Sequence, residues 1–135
     1  MARRLMFASV LLLTFAIAAW AGKDFRLTAA AAVPAAQGKV SIDHDHNGND
    51  VVHMEVKHLA QPSALTPAKA NYVVWIQARG KDPEPQGMLR VNDKEEGAFE
   101  TTTPYKTFDI FVTAEDTPNP TTPSGPEVMR GTIQE

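Results

Sequence analysis

Four histidines, His44, His46, His53 and His58, fall in one short segment that also holds Asp43, Asp45 and Asp50. Imidazoles and carboxylates are the donors that bind Zn²⁺ or Cu²⁺. On an extended chain, His44-x-His46 presents two imidazoles from one face, because side chains alternate with a period of two. The expected metal ligands are therefore His44, His46 and Asp45, with Asp50 or a residue of another loop as further candidates. The chain has no cysteine, which excludes a blue-copper site. The competing reading of the same residues is a polar hairpin tip with solvated side chains. Asp43-x-Asp45-x-Asn47-Gly48 also imitates the opening of a calcium loop. Its twelfth position, where a bidentate Glu is required, falls on Met54.

Catalytic arrangements are harder to find. Glu95, Glu96 and Glu100 belong to a polar turn and its exit, where carboxylates are solvated and nothing drives their pKa values apart. Ser9, Ser41, Ser63 and Ser124 have no His–Asp partners in local sequence, and there is no Gly-x-Ser-x-Gly. The expectation is a protein that is not an enzyme, with no catalytic residue and no cofactor.

The element that must position these residues is Asn71–Arg79, NYVVWIQAR. Val73, Val74, Trp75 and Ile76 put bulky groups on both sides of the pleat, as in a central strand buried on both faces. Around it, Lys39–Asp45 and Val51–His58 alternate as a hairpin about Asn47-Gly48. Facing the apolar sets of that hairpin places Ile42 opposite Met54 and His44 opposite Val52, with an odd-length loop. His53, Glu55 and Lys57 then point outward. Met88–Val91, Ala98–Thr103, Thr107–Ala114 and Glu127–Gln134 complete six to seven short strands. Arg79–Gln86 and Thr117–Pro126, rich in proline, read as loops. The fold class expected is all-β, an antiparallel two-sheet immunoglobulin-like sandwich preceded by an N-terminal signal helix. Of the aromatics, Tyr72, Trp75 and Phe99 read as core before they read as a binding platform.

Residues 1–21 have the form of a signal peptide: Arg3 and Arg4, an apolar run over Leu5–Ala18, then Ala19-Trp20-Ala21. The alternative is an uncleaved anchor, which would tether the protein to the inner membrane. Residues 22–37 read as a flexible linker, with a first edge strand at Phe25–Thr28 as the alternative, and 38–135 as the β-sandwich domain. The formal charge is −3, and removal of two arginines makes the remainder more acidic. Such a balance argues against nucleic acid and anionic lipid as partners.

Tyr72 and Trp75, Gly87-Met88-Leu89, Gly97 with Phe99, Phe111–Glu115 and Pro123–Gly131 occur in an order that resembles the extracytoplasmic C-terminal domain of anti-sigma-K factors. The likeness spans roughly Asn71–Ile133 and implies a sandwich domain outside the cytoplasmic membrane. Only Met1–Arg4 precede the apolar run, so the family's cytoplasmic sigma-binding domain is expected to be absent. Two functions are open at this point. One is an exported, periplasmic or extracytoplasmic module that contacts an envelope protein or serves a structural or sensory role. Its contact surface would be one loop end carrying Arg79–Gln86 and Thr117–Pro126. The alternative is a periplasmic Zn²⁺- or Cu²⁺-binding protein using the His44/His46 hairpin.

Overall fold

A computed structural model describes residues 24–135. The expected signal peptide, residues 1–21, lies outside the described residues. Eight antiparallel strands follow: β1 (Asp24–Ala29), β2 (Gln37–His44), β3 (Asp50–Lys57), β4 (Asn71–Ala78), β5 (Glu84–Leu89), β6 (Gly97–Thr103), β7 (Thr107–Glu115) and β8 (Glu127–Gln134). The one helical piece among the described residues is a 3₁₀ turn at Pro62–Ala64. None of them forms a helix long and apolar enough to cross a membrane.

The strands form one sheet in the order β5-β4-β7-β8-β1-β2-β3-β6. β1 joins the four strands β5-β4-β7-β8 to the three strands β2-β3-β6: Asp24–Leu27 pair with β2, while Thr28 and Ala29 pair with β8. The two outer strands then approach each other through side chains. Thr101 Oγ1 lies 2.8 Å from Gln86 Oε1, the Tyr105 hydroxyl donates to Glu84 Oε1 at 2.8 Å, and the Phe99 ring lies against Gly87. The sheet is thus a nearly closed barrel. The all-β class is as expected, but an immunoglobulin sandwich groups its first, second, fourth and fifth strands in one sheet. Here β1, β2 and β3 are successive neighbours, and the strand beyond them is β6.

Alternation explains the interior. Val40 and Ile42 of β2, Val52, Met54 and Val56 of β3, Val74 and Ile76 of β4, and Ile110 and Val112 of β7 all enter one core. β4 is buried on both faces: Val73 and Trp75 join Phe111 in a second cluster on the opposite side of the sheet. Trp75 is therefore buried, as expected, though outside the main core. Its indole N–H donates to Thr113 Oγ1 at 2.8 Å and its ring stacks on Phe111 at 6.3 Å.

Three expectations need correction. Asp24–Ala29, expected as part of a linker with an edge strand at Phe25–Thr28 as the alternative, is β1, paired on both sides, and the turn after it buries Val33 and Ala36. Glu84–Gln86, expected as loop, opens β5. Pro85 can sit there because β5 has a ladder partner on one side only, where a missing N–H costs little. The β2–β3 register is Val40↔Met54, Ile42↔Val52 and His44↔Asp50. The odd loop and the facing of the apolar sets hold, but each β2 residue meets a partner two residues earlier in β3 than expected. The cause is a longer tip, Asp45 through Asn49, closed by Asp45 N–H to the Asn49 carbonyl at 3.0 Å.

Candidate functional site

The corrected register brings His44 opposite Asp50 at one end of the barrel. This end gathers the β2–β3 tip, the β6–β7 connection and the end of β8. His44 Nδ1 is 3.0 Å from Asp50 Oδ1, and His44 Nε2 is 3.6 Å from Glu135 Oε1. Lys106 Nζ donates to the same Asp50 Oδ1 and to the Gly48 carbonyl, each at 2.6 Å. Asp50 is 0% exposed, so Lys106 and His44 rather than solvent meet its Oδ1. Its other oxygen, Oδ2, has no hydrogen-bond partner.

The remaining expected ligands go elsewhere. Asp45 folds back on its own turn, accepting the Asn47 and Asn49 N–H groups at 2.9 Å and the Asn49 side-chain amide at 3.3 Å. The Asn49 backbone N–H is the main influence holding its carboxyl below the usual carboxylate value. His46 is exposed at the tip. His53, on the outer face, lies 3.1 Å from both Asp43 Oδ2 and Glu100 Oε2, one carboxylate at each ring nitrogen. His58 begins the connection at the opposite end, with φ of 56°. Among the described residues, the one group of three metal-type donors is His44, Asp50 and Glu135, each offering an atom within 4.8 Å of the others. Sequence reasoning weighed Asp50 but missed Glu135 and Lys106. Their approach depends on where β6, β7 and β8 end in space, which no local pattern encodes.

The second buried carboxylate, Glu115, lies at the opposite end, where β7 stops beside the start of β4. Glu115 Oε1 accepts from the Ser124 hydroxyl at 2.6 Å, and its two oxygens accept the Gly125 N–H at 3.1 Å each. Burial raises its pKa. Hydrogen bonds from Ser124, Thr113 and the Gly125 and Ser124 backbones outweigh that, and the carboxyl is held below its usual value. The loop between β7 and β8 is thereby clamped at its base, which Ala114 N–H to the Pro126 carbonyl closes at 2.9 Å. Arg79–Pro83 is at the other end of the barrel, since Ala78 pairs with Phe108 and Asn71 with Glu115. The two loops expected to share one contact surface do not share an end.

Other polar groups serve the frame. Burial pushes the Tyr72 phenol up to about 12, and its hydroxyl donates to the Ala60 carbonyl at 2.7 Å. Arg130 lies 4.2 Å over the Phe111 ring and pairs with Asp109 and Glu127 at 2.8 and 2.6 Å. No protein-family model matches the chain, and no curated protein matches it.

Proposed function

We propose that this chain is an exported, non-enzymatic β module that works by protein–protein contact through the loop over residues 116–126. The observation that carries this reading is the clamp on Glu115. A carboxylate buried at a strand end is committed to Ser124 and Gly125, so the loop is fixed at its base while Thr117, Pro118, Thr121 and Thr122 stay exposed. A pre-ordered, proline-rich segment loses little conformational entropy when a partner docks on it. The partner class is a protein of the cell envelope. The leader-like residues 1–21 and the resemblance to the extracytoplasmic domain of anti-sigma-K factors support a periplasmic or extracytoplasmic setting. The two arrays joined by β1 serve, in this reading, as the two layers of a sandwich.

A photo-crosslinking residue at Thr121, compared with one at Asp82 in the opposite loop, tests this in cells. The expected result is a discrete crosslinked product from Thr121 and none from Asp82. No product from Thr121, or the same product from both positions, overturns it.

A further inference from the structure

The end of the barrel opposite the clamped loop carries a second kind of chemistry. Asp50 is fully buried, yet only one of its oxygens is engaged. Most buried polar atoms in native proteins have a hydrogen-bond partner, so an orphan carboxylate oxygen asks what it is for. His44 Nδ1 is 3.0 Å from Asp50 Oδ1, and Glu135 Oε1 stands 3.6 Å from Nε2 on the far side of the ring, so an ion takes one of these nitrogens and the other carboxylate must swing towards it. We infer that His44, Asp50 and Glu135 form a binding site for a divalent transition metal of the zinc type, with Lys106 as the cation that occupies its electrostatic place when the metal is absent.

The donor set suits the ion. Zinc takes imidazole nitrogen and carboxylate oxygen at about 2.0–2.2 Å, commonly as three protein ligands and a water. Two ligand atoms on one tetrahedral zinc are therefore about 3.3 Å apart. The three donors here already lie within 4.8 Å of one another. His44 is largely exposed and Glu135 is near the end of β8, so both can close on an ion. Asp50 is the fixed member, set by the β3 ladder and by its pairing with both His44 and Thr103.

Lys106 explains the charge. Its ammonium sits 2.6 Å from Asp50 Oδ1 and from the Gly48 carbonyl, contacts that a metal ion would weaken by repulsion. Its side chain is 47% exposed, so it can leave for solvent without being stranded. Lysine thus acts as an internal competitor, and its removal tightens metal binding. The site differs from the hairpin-tip set of His44, His46 and Asp45, because Asp45 is spent on the turn and His46 faces solvent. It is also independent of the clamped loop's role.

Calorimetric titration of the purified protein with Zn²⁺, alongside the melting temperature with and without Zn²⁺, tests the inference. The parent is expected to bind one equivalent and to melt several degrees higher with saturating metal. His44→Ala and Glu135→Gln are expected to weaken Kd at least tenfold, His46→Ala to leave it unchanged, and Lys106→Met to tighten it several-fold. Absence of binding in both the parent and Lys106→Met overturns the site. Binding that survives His44→Ala, or is lost with His46→Ala, also overturns it. A Glu135→Gln variant that binds like the parent removes Glu135 from the ligand set and with it the proposed site.

Discussion

At the scale of single residues, Glu115 links charge, burial and loop shape. It is 1% exposed and accepts hydrogen bonds from the Ser124 hydroxyl and from the backbone N–H groups of Ser124 and Gly125. Replacing it by Gln turns one acceptor into a donor that faces donors, at a cost of about 1–3 kcal/mol. Because its folded pKa is depressed below the ordinary 4.5, its contribution is fully present above that value. It is lost as pH falls through the lower folded value. Thermal melts should therefore show the parent well above Glu115→Gln at neutral pH, with the gap closing below about 4.5. A gap independent of pH would mean that the clamp is not electrostatic. Gly125 sets the same geometry by absence, since a Cβ there would run into the Ala114 carbonyl. Gly125→Ala should displace the loop even with Glu115 intact, and limited proteolysis of the loop reads that out.

Hairpin β2–β3 shows what an element adds. Asp45 accepts two backbone N–H groups of its own turn, and Gly48 sits at φ of 77°. A residue with a Cβ pays roughly 1–2 kcal/mol in that left-handed region, so Gly48→Ala should lower the melting temperature by several degrees. An unchanged melt would show the tip contributes nothing to the fold. This hairpin also marks how far sequence reasoning reaches. Val40, Ile42, Val52, Met54 and Val56 declare one buried face, and that facing was legible from alternation alone. The absolute register was not, because a shift of two residues preserves the facing. Only the five-residue tip closed by Asp45 decides it. The consequence falls on the candidate site, for the difference places Asp50 rather than Val52 beside His44. β1 was harder still. Of its six residues only Leu27 is buried, so its strand character comes from partners on both sides and leaves a faint local pattern. β4, with five consecutive buried residues from Tyr72 to Ile76, was legible outright.

The whole molecule has one weak line. Every neighbouring pair from β5 round to β6 is joined by a ladder, whereas β5 and β6 themselves meet without one. Beyond a single backbone bridge at the hairpin end, Val91 to Gly97, their junction rests on the Tyr105–Glu84 hydrogen bond, the Thr101–Gln86 side-chain contact and Phe99 against Gly87. Backbone N–H groups along the free edges of these two strands lack the sheet partners that protect the others, and edge strands open locally at lower free energy than central ones. Amide hydrogen exchange should accordingly separate two classes. Inward-paired amides of β4, β7 and β8 are expected to exchange only through global unfolding. Those of β5 and β6 that face the junction should exchange faster by several orders of magnitude. Tyr105→Phe, which keeps the ring and removes the hydrogen bond, should speed exchange in β5 and β6 while leaving β4 and β7 nearly unchanged. Equal protection across all eight strands would mean that the barrel is closed by backbone hydrogen bonding. The junction would then be as strong as any other pair, and the side chains that span it would be supporting contacts only.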